Sequence, residues 1–375
     1  MKKLIFRLFD RYILEYLLSL IPFDFGKKNS NLQNIKNILV IREYTLGETL
    51  LTLPMIKTLK DFGYKVDVLC SKANEEIFRR VDFIDNILVF EKKFFIKKYK
   101  NIKKYKNYDL TIDTEPHHNI SALLSKYLGK VSVGFKGLKR EKFYDIKVEY
   151  DDKVHAVYNF LNLIKFLNLN INANRVKLIP IKYYENEKDY IDNLLNKLNI
   201  NKNILIGIHA GSNDTSPYRR YKEKNFAKLI EKLVKDGFYI VLTGKGNDRK
   251  VNKNILSFLD DKIKKYVFDF SIYNMNLGHL AYLIKSCKVF ISNDTGPMHL
   301  SAAMGTKTIG LFGPNLPERF GPFGKDNIAI YKAKNLPCSP CINVHKREFK
   351  KCILNGKCMD LIEVDDIYKA VKKLV

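Results

Sequence analysis

The residues that could carry chemistry are concentrated in NDTGPMH, residues 293–299, directly after the apolar run KVFIS. An apolar run, a polar loop and a small-residue helical pattern predict a buried strand that leads into a helix. Ligands of doubly wound α/β domains bind beyond the carboxyl ends of such strands. The N–H groups of Thr295 and Gly296 at the helix start suit an anion such as a diphosphate, with Asp294 and His299 beside them. Asp294 alone could be an ordinary helix cap, but the whole run favours a ligand site.

Two further loops at predicted strand ends carry groups that bind phosphate. They lie in IHAGSNDTSPYRRYKEKNF (208–226) and in LTGKGND (242–248). An arginine guanidinium can bind phosphate through two parallel hydrogen bonds, and glycines permit a close approach of the backbone to a ligand. A solvated basic loop is the alternative for the first of them. The candidate residues are His209, Ser212, Arg219, Arg220, Thr243 and Gly244.

The matching loop in the first half of the chain, IREYTLGETLLTLP (41–54), supplies a carboxylate instead. It contains only Gly47 where a dinucleotide fingerprint needs three spaced glycines, which argues against an NAD-dependent enzyme. Glu48 falls at the predicted N-terminus of a helix, where a carboxylate could act as general base on a hydroxyl group. The alternative is an acidic residue that only stabilises the first helical turn.

Alternating strands and helices must position these loops. Short β-branched runs alternate with amphipathic segments in two series that are separated near residues 170–202, which predicts two parallel α/β domains. The expected organisation is an N-terminal amphipathic helix at 1–30, a Rossmann-like domain at 31–180, a second Rossmann-like domain at 200–350, and a Cys-rich segment with a C-terminal helix at 338–375.

The composition is that of a folded and strongly basic protein. The 375 residues include 66 Lys and Arg against 40 Asp and Glu, a net charge of +26. Such a surplus suits anionic substrates, an anionic membrane or nucleic acid, or it reflects Lys- and Asn-rich solvated surfaces. No aromatic RNA-binding motif or helix-turn-helix pattern is recognisable, so we expect no nucleic-acid partner.

The N-terminal stretch MKKLIFRLFDRYILEYLLSLIPF is apolar but interrupted by charges. Lys3, Arg7, Arg11 and Glu15 recur every four residues and form a narrow polar stripe on a helix. These charges argue against a membrane-spanning helix and against a secretory signal. The segment either lies in the interface of an anionic membrane, which we favour, or packs on the body of the protein.

Four of the six cysteines, Cys338, Cys341, Cys352 and Cys358, lie close together in the sequence near the C-terminus. Their C-x₂-C…C-x₅-C spacing could hold a structural zinc ion, and His345 could replace one of the thiols. Reduced thiols without a ligand and disulfides are the alternatives. No secretory signal indicates an oxidising compartment.

Together, the stretches ILVIREYTLGETLLTLPMIKTLK, IGIHAGSNDTSPYRRYKEKNFAKLI and SNDTGPMHLSAAMGTKTIGLFGP resemble glycosyltransferase family 9, the lipopolysaccharide heptosyltransferases. The resemblance extends over roughly residues 36–370. It implies a GT-B fold, in which two Rossmann-like domains face each other across a cleft. The N-terminal domain would bind the acceptor and the C-terminal domain an ADP-sugar, usually ADP-heptose. The family inverts the anomeric centre and needs no metal.

The resemblance also implies roles for individual residues. Glu48 occupies the position at which the family has an Asp, the proposed base. Arg219 occupies the position at which a phosphate-binding Lys is common; if the alignment shifts by one residue, Arg220 occupies it. The expected donor-binding residues are His209, Ser212, Arg219, Arg220, Thr243, Gly244, Asp294, Thr295, Gly296 and His299, and the expected acceptor-binding residues are Thr45, Gly47, Asp113, His117 and His118. The segment Glu-Pro-His-His at 115–118 departs from the family and leaves the acceptor open.

These observations predict an inverting, metal-independent glycosyltransferase at the cytoplasmic face of the inner membrane. It would move a sugar, heptose by resemblance, to a lipopolysaccharide core or a related lipid-linked glycan. Donors on the protein would stabilise the leaving diphosphate while Glu48 takes the proton from the acceptor hydroxyl. The rival is a non-catalytic glycan- or nucleotide-sugar-binding protein of the same fold, because Glu48 is one methylene longer than the usual Asp.

Overall fold

The chain divides into two compact units. A computed structural model describes residues 34–43, 45–90, 107–212 and 216–375, together with Asp10, Tyr16 and Leu20. The first unit consists of residues 1–176 and 344–348, and the second of residues 177–343 and 349–375. The second unit therefore begins earlier than the expected residue 200 and includes the Cys-rich segment, apart from five residues, 344–348, that belong to the first unit.

The first unit contains a sheet of six parallel strands in the order β3-β2-β1-β4-β5-β6. The strands are β1 Asn37–Ile41, β2 Lys65–Cys70, β3 Asn86–Val89, β4 Tyr108–Asp113, β5 Gly129–Phe135 and β6 Ile146–Val148. The helices are Leu46–Asp61, Glu75–Arg79, Asn119–Leu128 and Ala156–Asn162. A 3₁₀ turn at Lys165–Leu167 follows the last of these helices.

The second unit repeats this architecture with strand order β12-β11-β10-β7-β8-β9. The strands are β7 Leu205–His209, β8 Tyr239–Leu242, β9 Val267–Asp269, β10 Val289–Asn293, β11 Lys307–Phe312 and β12 Ile328–Tyr331, and a hairpin adds β13 Ile342–Asn343 and β14 Glu348–Phe349. The helices are Glu185–Lys197, Glu223–Lys235, Asp248–Ser257, Asp261–Lys264, Leu277–Lys285, Gly296–Ala303, Pro317–Phe320, Lys357–Asp360 and Val364–Leu374.

Both sheets have the same topology, which explains where the candidate loops lie. Counted within its own unit, each sheet reads 3-2-1-4-5-6, so the order reverses between β1 and β4 and between β7 and β10. Chains leaving neighbouring strands at such a reversal diverge and leave a crevice. The loops after β1 and β4 flank this point in the first unit, and those after β7 and β10 flank it in the second. The predicted α/β fold with two doubly wound Rossmann-like domains is confirmed.

Amphipathic helices cover the sheets. Helix Glu223–Lys235 places Phe226, Ile230 and Leu233 at spacings of three and four residues, and all three are fully buried. Burial of each such side chain contributes roughly 1.5–3 kcal/mol. Within the described part of the chain, the helices are all too short or too polar to cross a membrane.

Three residues of the predicted N-terminal helix are described. Asp10 is buried, and its carboxylate accepts hydrogen bonds from Ile120 N at 2.8 Å and Asn119 N at 3.3 Å, where helix Asn119–Leu128 begins. Tyr16 and Leu20 are exposed. At Asp10 the segment therefore packs on the body of the protein, and the rest of the predicted helix lies outside the described residues.

Candidate functional site

Asn293, at the end of β10, forms hydrogen bonds with the segment that follows β7, at the reversal point of the second sheet. Its side-chain Nδ2 donates to the Ala210 carbonyl at 2.8 Å and to the Gly211 carbonyl at 3.3 Å. Its Oδ1 accepts from the Tyr221 N–H at 3.0 Å. Because Asn293 is fully buried, it fixes the segment after β7 relative to the segment after β10.

Arg219 and Asp294 meet at this point. Arg219 Nη1 lies 3.4 Å from the Asp294 carbonyl oxygen and 3.7 Å from its Oδ2. Asn315 Nδ2 donates to the same Oδ2 at 3.0 Å and holds the carboxylate in place. Arg219 Nε is buried and has no hydrogen-bond partner among the described residues. Arg219 Nε thus lies beside the loop that the sequence predicts to bind a diphosphate, and it could donate a hydrogen bond to a ligand there.

Helix Gly296–Ala303 begins at this loop without a side-chain cap. Thr295 occupies the N-cap position, but its Oγ1 donates to the Asn293 carbonyl at 3.2 Å instead of accepting from the helix. Pro297 has no N–H, so the N–H groups of Thr295 and Gly296 are the first donors at this end. His299 is buried one turn further along. This end of the helix suits an anion.

The neighbouring arginine has a different role. Arg220 Nε donates to Ser212 Oγ, and its Nη2 donates to the Ser212 carbonyl, both at 3.0 Å. Arg220 therefore anchors the loop after β7, whereas Arg219 extends toward Asp294. The sequence could not distinguish these two positions, whereas the structure shows that they make different contacts.

His209 and the glycines of the same region are packed against protein groups. His209 Nδ1 lies 3.2 Å from Thr243 Oγ1, and burial lowers the pKa of this imidazole. A Cβ at Gly211 would lie 2.0 Å from Asp248 Oδ1, and one at Gly244 would lie 2.5 Å from Asp248 Cβ. Asp248 therefore fills the space that both glycines leave, so on that side they accommodate a carboxylate of the protein.

Glu48 lies in the first turn of helix Leu46–Asp61, beside the reversal point of the first sheet. Its Oε2 accepts from Arg42 Nη2 at 2.6 Å and from Thr45 Oγ1 at 2.9 Å. Its Oε1 is buried and has no hydrogen-bond partner within the described part of the chain. Thr45 has a φ of 59°, an unusual left-handed value for a residue other than glycine. Gly47 is buried inside the same helix.

A charged network joins the loops after β1 and β4. Arg42 is fully buried, and its Nη1 donates to the Thr114 carbonyl at 2.9 Å. Burial alone would lower the pKa of Arg42, but Glu48, Glu115 and Asp113 together raise it above its usual value. Glu115 Oε1 accepts from the Glu43 N–H at 2.6 Å.

The two histidines that follow β4 extend this network. His118 lies between acidic groups, with Nε2 3.7 Å from Glu115 Oε2 and Nδ1 3.6 Å from Asp10 Oδ2. Burial, followed by the neighbouring His118, lowers the pKa of His117 to about 3. Arg347, one of the five residues from the C-terminal segment that belong to this unit, donates to the His117 carbonyl.

The described contacts of Asp113, which the sequence predicts to bind the acceptor, are all with groups of the protein itself. Its Oδ2 accepts from Arg140 Nη2 at 2.5 Å and from Tyr144 Oη at 2.9 Å, and its Oδ1 accepts from the Glu115 N–H at 2.9 Å. It is fully buried, and this burial raises its pKa to about 6. The contacts of Asp113 position the loop that carries His117 and His118.

The four clustered cysteines converge in space. Cys338, Cys341, Cys352 and Cys358 line one small pocket, and all four are free thiols. Burial, followed by the neighbouring thiols of this cluster, raises the pKa of Cys358 to about 11. Over the described residues, no group of three His, Cys, Asp or Glu side chains is gathered closely enough to hold a metal ion.

Sequence reasoning missed four residues that organise these regions. Arg42 and Glu115 link the loops of the first unit, and Asn315 holds Asp294 in the second. Asn293 belongs to the NDTGPMH motif, but its linking role is visible only in the structure. The one available signal is that each of the four lies at the end of a strand or within three residues after one.

The fold and these loops define a two-domain α/β protein with polar loops at the topological reversal of each sheet. A family model described as "Glycosyltransferase family 9 (heptosyltransferase)" matches residues 97–352. The chain therefore belongs to glycosyltransferase family 9, and the resemblance seen in its motifs is confirmed.

Individual relatives agree with this assignment. The chain is 25% identical to lipooligosaccharide heptosyltransferase 2 of Campylobacter jejuni, over 88% of this chain and 95% of that protein. Its match to the corresponding enzyme of Haemophilus influenzae, 30% identical, spans 32% of this chain and about a third (34%) of that relative's length. The fold is similar to that of a family 9 glycosyltransferase from Veillonella parvula, with a TM-score of 0.75, 18% identity and coverage of 92% and 99%. An Escherichia coli heptosyltransferase solved with ADP-2-deoxy-2-fluoro heptose has a TM-score of 0.64, at 18% identity and coverage of 90% and 100%.

Proposed function

We propose that this protein transfers a sugar from an ADP-sugar, with ADP-heptose favoured, to a hydroxyl group of a lipopolysaccharide core or related lipid-linked glycan. Membership of family 9 and the donor named in the E. coli structure support this choice. The observation that carries the proposal is the pairing of Arg219 and Asp294 beside a helix that begins without a side-chain cap.

The donor diphosphate would lie against the Thr295 and Gly296 N–H groups, with Arg219 Nε supplying a further hydrogen bond. Several converging donors are required, because a helix N-terminus contributes only about 0.3–1 kcal/mol and up to ~2 when partly buried. Negative charge grows on the leaving diphosphate as the glycosidic bond breaks, so donors fixed in advance stabilise the transition state more than the ground state. Asn315 and Asn293 act by holding Asp294 and the surrounding loops in place.

Glu48 is the proposed general base. Its Oε1 is buried without a partner among the described residues, so this oxygen is placed to accept the proton of an acceptor hydroxyl. Arg42 and Thr45 hold the other oxygen and fix the orientation of the carboxylate. Attack from the face opposite the leaving group would invert the anomeric centre, and the chemistry proposed for these residues uses no metal.

The donor can be tested by calorimetry and by product analysis. ADP-, UDP- and GDP-sugars should be titrated separately, and the ADP-sugars should bind most tightly. Incubation with ADP-heptose and a lipopolysaccharide-core acceptor should release ADP and yield a product whose anomeric configuration is inverted by NMR. Binding of UDP- or GDP-sugars alone would contradict the proposed donor, and retention of configuration would contradict the proposed mechanism.

The second candidate function is a non-catalytic binder of glycans or nucleotide sugars. The longer arm of Glu48 is the observation that favours it. Such a protein would bind ADP-sugar and release no ADP with any core acceptor, whereas the enzyme releases ADP only when an acceptor is present.

The proposed location is the cytoplasmic face of the inner membrane. The +26 net charge and the apolar N-terminal stretch support attraction to an anionic leaflet. Cosedimentation with anionic vesicles, but not with neutral phosphatidylcholine vesicles, is the expected result. Equal partitioning to both, or to neither, would contradict this location.

A further inference from the structure

Asp10 is a buried carboxylate that the proposed reaction leaves unused. It comes from the apolar stretch at residues 1–23, and its side chain is only 4% exposed. A carboxylate is costly to bury unless charged or hydrogen-bonding groups surround it. The contacts of Asp10 therefore show what this part of the chain is attached to.

Asp10 supplies the cap that helix Asn119–Leu128 lacks. His118 occupies the N-cap position of this helix, but its side chain makes no capping hydrogen bond to the described helix, and the first turn contains no acidic residue. The Asp10 carboxylate accepts from the Asn119 and Ile120 N–H groups, and its backbone carbonyl accepts from Asn119 Nδ2 at 2.8 Å. A negative charge is favourable here, because the first N–H groups of a helix carry partial positive charge.

Two further side chains face the same carboxylate. Asp10 Oδ2 lies 3.6 Å from His118 Nδ1 and 4.0 Å from Arg347 Nη2. Arg347 also donates a hydrogen bond to the His117 carbonyl. Asp10 is therefore connected to both of the histidines that the sequence predicts to bind the acceptor.

The same contacts lead from Asp10 toward the proposed base. His118 Nε2 lies 3.7 Å from Glu115 Oε2, and Glu115 Oε1 lies 3.8 Å from Arg42 Nε. Arg42 in turn donates to Glu48. Asp10 thus lies at one end of a row of charged and titratable side chains, and Glu48 lies at the other end.

We propose that Asp10 is a positioning residue of the acceptor side, and that the N-terminal segment thereby contributes to this side of the first unit. Its carboxylate fixes His118 and Arg347, so the loop at 115–118 presents its histidines to the acceptor in one arrangement. This loop is where the sequence departs from the family, so Asp10 acts on the part of the site that selects the acceptor. The contacts of Asp10 stand on the structure, whereas their effect on the acceptor rests on the proposed function.

Two substitutions separate the charge of Asp10 from its capping bonds. Asp10→Asn keeps an oxygen that accepts from the helix N–H groups, but it removes the charge that faces His118 and Arg347. It should raise the KM for the core acceptor about tenfold and leave the Kd for ADP within about twofold of wild type. Asp10→Ala also removes the cap, so its thermal midpoint should fall by about 2–4 °C. A wild-type KM in a folded Asp10→Asn variant would overturn the proposal.

Asp109→Asn is the matched control in the same unit. Asp109 Oδ2 also accepts two backbone hydrogen bonds, from the Lys36 and Asn37 N–H groups at 3.0 Å each. Asp109 lies near the start of β4, at the other end of that strand from the loop at 115–118. Its substitution should leave the KM for the acceptor unchanged. An equal rise in KM would show that the position of Asp10 is not what matters.

A double-mutant cycle tests whether Asp10 acts through His118. His118→Gln should itself raise the KM for the core acceptor. Adding Asp10→Asn should then raise it by no more than about twofold further, because the residue through which Asp10 acts is already lost. Fully additive losses would contradict the proposed action through His118.

Hydrogen exchange tests the contacts of Asp10 without any enzymatic activity. The amides of residues 117–122 should exchange roughly fivefold faster in Asp10→Ala than in wild type, because the start of the helix loses its cap. Unchanged exchange would show that Asp10 does not hold this loop. If exchange responds but wild type releases no ADP with any core acceptor, the proposed function fails while the contacts of Asp10 stand.

Discussion

Replacing Arg219 by alanine is the sharpest test of the donor site, because the adjacent Arg220 provides a matched control. Arg219 extends toward Asp294, and its buried Nε has no hydrogen-bond partner among the residues that the structure describes, whereas both described bonds of Arg220 go to Ser212. The two variants remove the same side chain from neighbouring positions. Only the first should weaken binding of ADP strongly.

The magnitude for Arg219 follows from its charge and burial. A unit charge about 4 Å from a phosphate oxygen is worth about 4 kcal/mol at an effective dielectric constant of 20. Desolvation and the existing Asp294 contact reduce this, and hydrogen bonds to charged groups contribute about 1.5–3 kcal/mol net. We expect a loss of about 2–3 kcal/mol, or roughly 30- to 150-fold in the Kd for ADP. The Kd for ADP of Arg219→Lys should fall between those of wild type and Arg219→Ala. Lysine keeps the positive charge but lacks the planar set of donors of the guanidinium group.

The control variant should behave differently. Arg220→Ala removes two hydrogen bonds that anchor Ser212, so its free energy of unfolding should fall by about 1–3 kcal/mol while the Kd for ADP changes less than about fivefold. Calorimetry with ADP and denaturant unfolding of both variants measure these quantities. The reasoning is refuted if Arg219→Ala binds ADP normally, or if Arg220→Ala binds it more weakly than Arg219→Ala.

Two further predictions concern stability. Asn293→Ala should lower the free energy of unfolding by about 2–4 kcal/mol, because it leaves the Tyr221 N–H and the Ala210 carbonyl without their described partner; denaturant melts that match wild type would exclude this role. The pKa of His117 is depressed to about 3, so its contribution to stability is fully present above its unfolded value of about 6.5 and is lost as pH falls toward 3. Between pH 6.5 and 4, the free energy of unfolding of His117→Gln should therefore fall less steeply than that of wild type, by a difference of up to ~1.4 kcal/mol per pH unit. Equal slopes for the two proteins would contradict this prediction.

The fold could be predicted from the sequence because alternating strands and helices are local patterns. The apolar runs at 38–41 and 289–292 identify buried parallel strands, and polar residues after such strands meet at one edge of a sheet. The sequence therefore placed Asp294 at a strand end and Glu48 at the start of the helix that follows a strand. The resemblance to family 9 could also be recognised from the sequence, because the motifs that carry it consist of these loops.

The rest depended on contacts between distant parts of the chain. The bond from Arg42 to the Thr114 carbonyl joins residues 72 positions apart, and no local pattern indicates it. The choice between Arg219 and Arg220 depended on how a 3₁₀ turn at Pro217–Arg219 directs the two side chains. In the sequence, Asp10 is only one charge within an apolar stretch. In the structure, its carboxylate accepts hydrogen bonds at the start of helix Asn119–Leu128, 109 residues away.

The central claim is that Glu48 accepts the proton of the acceptor, and Glu48→Gln tests it most directly. Steady-state transfer from ADP-heptose to a core acceptor should be compared in wild type, Glu48→Gln and Glu48→Asp, with folding checked by thermal unfolding because Arg42 loses a charged partner. We expect glutamine to lower kcat by about 10²–10⁴ with an unchanged Kd for ADP, and aspartate to restore part of the activity. Normal turnover by a folded Glu48→Gln variant would contradict the account.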